Sequence, residues 1–383
     1  MGIFVHILSS RTEKMASLIF KWLKSENTSS PESRELATKT RKAFGMTSRD
    51  YRRALTEGRK YIDIVERKMS SNNWQAIDYE KVPSKANLVY KNAFLKHDPE
   101  RRQAYLDALT TGEAKINSSA SFPHDIVHKY VSEGYHGYYD SAIRDEDATL
   151  EEMWKALPDF VNGNGNTIVV ADGSGSMTCC INPKALTTAL EVANALAIYF
   201  AQHQDGPFKN KYITFSSRPK YVNVGYPTLR ENLIEARKHN ECANTNIEAV
   251  FDMVLKTAVD NKLRQEEIPN ILVVSDMQFG GAVCCNSSNW GIPKTLFETI
   301  ADKYASYNYT LPKLIFWNLN TYGRSKSVPV TQNENGVILV SGYSAAICKM
   351  VLSNKTDPYE AMVEILNSER YQAIEDAWNK AVS

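Results

Sequence analysis

The chain has 383 residues, of which 43% are hydrophobic and 23% charged, with 45 Lys/Arg against 44 Asp/Glu. These are the proportions of a soluble globular protein too long for one ordinary core. No run of about 18 apolar residues occurs, so no membrane span is expected. The N-terminal stretch "MGIFVHIL" lacks the basic start and cleavage site of a signal peptide, and His6 breaks the myristoylation pattern. The six cysteines are Cys179, Cys180, Cys242, Cys284, Cys285 and Cys348. Two vicinal pairs without C-x-x-C fit neither a zinc ribbon nor a disulfide framework. Reduced thiols and a cytoplasmic location are the expectation.

Charge is unevenly spread. Residues 1–110 hold 21 Lys/Arg and 13 Asp/Glu, leaving 24 and 31 for the remainder. The first part is basic and reads as helical. A helix starts at Ser30-Pro31-Glu32 and ends near Gly45, and Thr47 to Asp50 resembles a capping box that opens the next. Leu55, Tyr61, Ile62 and Val65 form its expected inner stripe. Residues 98–112 are a third helix, with Asp98 as cap, Pro99 in the first turn and Gly112 at the end. "SFPHDIVHKYV" is a short helix.

Arg41, Lys42, Arg49, Arg52, Arg53, Arg59, Lys60, Arg67 and Lys68 lie along this part, with Phe44, Tyr51, Tyr61 and Trp74 among them. Two readings stand: a solvated face, or an electrostatic footprint for nucleic acid in which Arg49, Arg52, Arg53, Arg59, Lys60, Arg67 and Lys68 are the contacts.

The texture changes at Asn162-Gly163-Asn164-Gly165, which divides a basic α-helical domain, 1–160, from an α/β domain, 161–383. Strands are expected at 167–172, 211–216, 220–224, 271–276, 313–318 and 336–340. Helices are expected at 183–203, 228–238, 246–261, 293–307 and 357–380. Continuous apolar strands alternating with helices imply a Rossmann-like, mostly parallel sheet with helices on both faces. The short 211–216/220–224 connection implies one antiparallel edge.

Ligands of such sheets sit outside the carboxyl ends of the strands. "IVVADGSGSMT" places Asp172, Ser174 and Ser176 there, and "ILVVSD" places Asp276 there. Thr245 stands at or beside the start of an intervening helix. All five offer hard oxygens, which suit Mg²⁺ or Mn²⁺. Gly173 and Gly175 are expected to let the loop turn tightly enough for both serines to face inward.

Asp172-Gly-Ser174-Gly-Ser176 followed by Met177, with later Thr245 and Asp276, resembles the metal-ion-dependent adhesion site of von Willebrand factor type A (vWA) domains. The resemblance covers about 160–383. It implies a divalent ion held directly by the serines and, in one state, the threonine, with the aspartates often acting through water. It also implies a protein partner whose acidic side chain completes the shell. The segments 61–106 and 114–130 resemble the helical half of a family that carries such a domain C-terminally. That outline is similar to the Ro RNA-binding proteins, in which a TROVE domain precedes a vWA domain.

The expected function is metal-dependent binding and assembly through a protein partner, not catalysis. The alternative is a Ro-like RNA-binding component using the basic helices. Rival chemistries lack their residues. "GSGSMT" misses the third glycine of a dinucleotide loop, so no nucleotide cofactor is expected. Ser174 stands where a haloacid-type phosphatase needs a second carboxylate. "HDIVH" is not H-E-x-x-H, and no general base accompanies the cluster.

Overall fold

The computed structural model describes residues 20, 22–61, 64–131, 142–159, 166–182, 185–240, 246–276, 294–319, 330–332 and 337–342, with a few positions between 359 and 372. It divides into two compact units, Met1–Ile116 and Asn117–Ser383.

The first unit is helical: α1 (Pro31–Ala43), α2 (Ser48–Tyr61), α3 (Val65–Ser70), α4 (Ser84–His97) and α5 (Pro99–Thr111). Ser30 caps α1 by accepting the Ser33 N–H at 3.2 Å, and Gly45 follows its end at φ +64°. Thr47 accepts the Asp50 N–H at 3.2 Å and so starts α2. Phe20, Ala37, Tyr51 and Leu55 form the core of these two helices. The inner stripe holds at Leu55, whereas Tyr61 and Ile62 fall outside the described side chains. Gly58 lies inside α2, where glycine costs about 1 kcal/mol relative to alanine. The ring of Phe20 occupies the place a Cβ would take there.

Two N-terminal expectations are corrected. Asp98 precedes α5 but makes no capping bond. Its carboxylate accepts instead from Tyr79 at 2.9 Å and from Arg101 at 2.8 Å. Tyr51 is fully buried and donates to the Lys24 carbonyl, so it offers no stacking face.

The second unit opens with α6 (Pro123–Tyr130) and α7 (Ala148–Lys155). The strand and helix series follows: β1 (Thr167–Ala171), β2 (Cys180–Asn182), β3 (Ala185–Thr188), α8 (Ala189–Gln202), β4 (Lys211–Thr214), β5 (Tyr221–Asn223), α9 (Leu229–Arg237), α10 (Ile247–Asp260), β6 (Asn270–Ser275), α11 (Lys294–Ser306), β7 (Leu314–Asn318), β8 (Val330–Gln332) and β9 (Ile338–Ser341). Among the described residues, seven strands form the main sheet in the order β5-β4-β1-β6-β7-β9-β8. The pairs β1–β4, β1–β6, β6–β7 and β7–β9 are parallel; the edge pairs β4–β5 and β8–β9 are antiparallel. The expected α/β architecture and the β4–β5 hairpin are therefore present.

Alternate strand residues serve the two faces. Ile168, Val170, Ile271 and Val273 pack with Val250, Phe251 and Val254 of α10 and Ile300 and Tyr304 of α11. On the other side α8 lies against β1, β4 and β6. Residues 189–201 of α8 are all buried, because α6 and α9 also pack on it. A helix buried on every side must be enclosed in this way.

The helix expected over 183–203 starts only at Ala189. Before it, β2 and β3 pair antiparallel as a separate two-stranded ribbon. Thr188 and Glu191 form a capping box that fixes the change from strand to helix. The helix expected at 357–380 falls almost wholly outside the described residues.

Candidate functional site

Asp172 and Asp276 are the residues that follow β1 and β6, which are adjacent parallel strands. The Asp172 N–H continues the ladder to the Val274 carbonyl at 3.0 Å. Both aspartates are only 5% exposed. The carboxylate of Asp172 is held at two points. Oδ1 accepts the Ser174 N–H at 2.8 Å, and Oδ2 accepts the Ser275 hydroxyl at 2.5 Å. The first bond folds the chain back immediately after the strand, and it brings Ser174 over the sheet edge.

A short 3₁₀ turn, Gly175–Thr178, follows. It closes through Met177 N–H to the Ser174 carbonyl and Thr178 Oγ1 to the Gly175 carbonyl. Within it the hydroxyls of Ser174 and Ser176 stand 3.1 Å apart. Met177 is fully buried beneath them, and its sulfur accepts the Asp276 N–H at 3.1 Å. Thus one turn ties the β1 end to the β6 end. Gly175 is not required for tightness: a Cβ there meets nothing within 4 Å, and its φ is not positive. The bond from Ser174 N–H to Asp172 makes the turn instead.

Thr245 lies outside the described residues. The next residue, Asn246, is the N-cap of α10 and accepts the Ala249 N–H. Its own N–H donates to the Ser216 carbonyl, two residues beyond β4. The start of α10 therefore reaches the same edge of the sheet as Asp172. Ser275, fully buried, is a positioning residue that the sequence reading did not single out.

The donor set fits a small hard cation. Two cis ligands at the roughly 2.0–2.1 Å of magnesium would be about 2.9 Å apart, close to the serine separation. Burying two carboxylates at adjacent strand ends costs solvation, and a divalent ion would offset that cost. Among the described residues no group of three or more His, Cys, Asp or Glu could hold a metal. An ion here would rest on hydroxyls, carboxylates and water.

Other residues take different places. Cys179 and Cys180, just before and at the start of β2, are exposed free thiols; Cys284 and Cys285 lie outside the described residues. His128 does not pair with His124 in a metal site. Its Nδ1 stands 3.0 Å from Glu191 of the α8 capping box.

The basic residues divide. Arg41 is turned to Glu26 at 2.7 Å and to the Met46 carbonyl at 2.9 Å. Arg59 donates to the Phe20 and Leu23 carbonyls. Arg53 pairs with Glu57, and Arg52 donates to Ser48 of its own helix. Arg49 and Arg67 are exposed, and Lys68 is partly buried. The Lys60 side chain lies outside the described residues. The Arg41 and Arg59 guanidiniums, turned to backbone outside their own helices, leave the basic footprint of α1 and α2 smaller than its residue count implied.

The fold and this rim define a class: a doubly wound α/β domain with an oxygen-rich edge at its strand ends. The chain belongs to the family of the Domain of unknown function (DUF7788), whose model matches residues 166–381. A second model, Domain of unknown function (DUF2828), matches residues 10–166. Uncharacterized protein L728 of Acanthamoeba polyphaga mimivirus is 31% identical over 369 residues. That alignment takes in 91% of this chain, which spans 60% of the length of the viral relative. Among solved structures, the Ro (RSR) protein of Deinococcus radiodurans matches with a TM-score of 0.43 at 14% identity, covering 90% of this chain and 74% of that one. The vWA domain of SpRpn10 matches with a TM-score of 0.26 at 16% identity, covering 50% of this chain and 94% of that one. Among the described residues no helix is long and apolar enough to cross a membrane.

Proposed function

We propose that the second unit is a metal-ion-dependent binding module. Asp172, Ser174, Ser176, Thr245 and Asp276 would hold Mg²⁺ or Mn²⁺, and a protein partner would supply an acidic side chain to the ion. When bound, the ion supplies an electrophilic centre for that outside carboxylate. The residues of the chain do the rest. Ser275 and the Ser174 N–H hold the Asp172 carboxylate still, and the turn carries the two hydroxyls above it. Met177 sets the level of Asp276 by its sulfur contact to the Asp276 backbone.

The observation that carries this reading is the hydroxyl pair at 3.1 Å in the turn that joins two buried strand-end aspartates. Binding is favoured over catalysis by the character of the contacts. Among the described residues, Asp172, Ser174 and Ser176 bond to hydroxyls and backbone N–H groups, and no histidine or lysine bonds to them.

The test is a pull-down with the full chain in Mg²⁺, eluted by EDTA and examined for protein and RNA. A protein released by EDTA and absent with Asp172→Ala is expected. Retention of the same protein through EDTA and with Asp172→Ala would overturn the reading.

A further inference from the structure

We infer that the first unit carries a separate stacking site for single-stranded nucleic acid, built on the ring pair Trp74–His97. The inference does not rest on the metal reading, which concerns the other unit. The two rings are parallel, with centroids 4.6 Å apart and planes within 7°. Trp74 opens a 3₁₀ turn just beyond α3, and His97 is the last residue of α4.

The indole is held firmly. Its Nε1 donates to Asn72 Oδ1 at 2.8 Å, and Asn72 adopts a left-handed φ of +56° to place that acceptor. The Asn73 N–H returns to the Lys68 carbonyl at 2.9 Å. Arg101 donates to the Trp74 carbonyl at 3.1 Å, the Ile77 carbonyl at 2.8 Å and Asp98 at 2.8 Å. The result is a rigid aromatic backing under an exposed imidazole. An aromatic ring fixed at the surface with an aromatic beneath it is a platform on which a base can stack, whatever the base, because every base offers a π-face.

The charges nearby suit a phosphate chain of modest length. Arg67 and Lys96 are exposed, and Lys68 sits beside the turn. The acids partly oppose them. Asp98 is bound by Tyr79 and Arg101, Glu66 accepts from Tyr90 at 3.3 Å, and Glu100 is exposed. Two or three phosphates can therefore be neutralised, not ten. Duplexes hide their base faces, so the geometry favours single strands.

The experiment measures fluorescence anisotropy of a labelled 12-nucleotide oligouridylate with the full chain, in EDTA so that the metal site is silent. Binding is expected at low salt. The logarithm of affinity should fall with the logarithm of salt at a slope of about −1.4 to −2.1, two to three phosphates at about −0.7 each. His97→Ala should weaken binding at least about fivefold while His97→Phe retains it, since one base stack is at stake. Arg67→Glu should weaken it and flatten the slope. An abasic oligomer of the same length should bind more weakly than the oligouridylate. No binding at low salt, equal binding by the abasic oligomer, or an unchanged affinity in His97→Ala would each overturn the inference.

Discussion

Removing both rim hydroxyls, with Ser174→Ala and Ser176→Ala together, separates ion binding from folding. The structure sets the size of each effect. The two hydroxyls bond to each other, and the Ser174 contact that shapes the turn comes from its backbone N–H. The double variant thus forfeits one neutral hydrogen bond at a partly buried edge, worth about 0.5–1.5 kcal/mol. For a unit of this size that is a fall of a few degrees at most in Tm without metal, at about 2–4 °C per kcal/mol. The wild-type chain at a Mg²⁺ concentration 100 times its Kd gains about 2.7 kcal/mol, or roughly 5–10 °C. The assay is thermal unfolding across a Mg²⁺ series against EDTA. The double variant should melt close to wild type in EDTA and show no rise with Mg²⁺. A wild-type Mg²⁺ response in the double variant would refute the site assignment. Collapse of the fold in EDTA would refute the claim that the hydroxyls are not structural.

Three further outcomes follow from the packing. Glu151 is 5% exposed and accepts from Leu229 N–H at 2.7 Å, Arg230 N–H at 3.1 Å and Tyr130 Oη at 2.5 Å, so it seats the start of α9. Glu151→Ala strands those donors and should cost about 3 kcal/mol in urea unfolding, while burial and the same carboxylate hold the Tyr130 phenol far above its ordinary pKa. Gly58→Ala, stabilising by helix propensity alone, should instead destabilise by about 1–3 kcal/mol because the added methyl meets Phe20; a gain in Tm would show that Phe20 does not pack there. The Arg41 side chain holds the Glu26 carboxyl below its usual pKa. Its folded value is depressed, so this stabilisation is complete above the ordinary glutamate pKa of about 4.3 and is lost as the pH falls through the lowered value. Glu26→Gln should remove that part of the acid dependence of unfolding.

Much of the rim was legible because it follows from topology. Two apolar runs ending in Asp172 and Asp276 predict adjacent parallel strands, and such strands bring their last residues together whatever lies between. The β2–β3 ribbon was hidden because "ALTTALEVANALAIYF" is rich in helix formers from its first residue, and only the Thr188–Glu191 capping box marks where the helix begins. The enclosure of α8 by α6 was hidden because it joins residues about 60 apart in sequence, as the His128–Glu191 contact shows. The direction of the arginines was hidden for another reason. A residue type reports that a charge exists, while its direction depends on which carbonyls lie within reach. Arg41 and Arg59 reach inward to loop backbone, so they rigidify the unit rather than present charge. Ser275 belonged to a strand by its neighbours, and nothing local signalled that its hydroxyl would meet a carboxylate 103 positions away.

The central claim is that this rim holds one divalent ion through Asp172 and its neighbours. Electron paramagnetic resonance of free Mn²⁺ titrated into the full chain tests it directly. The account predicts one bound Mn²⁺, displaced by Mg²⁺ and lost in Asp172→Ala. A wild-type chain that leaves all the Mn²⁺ free, or an Asp172→Ala chain that still binds one ion, would contradict it.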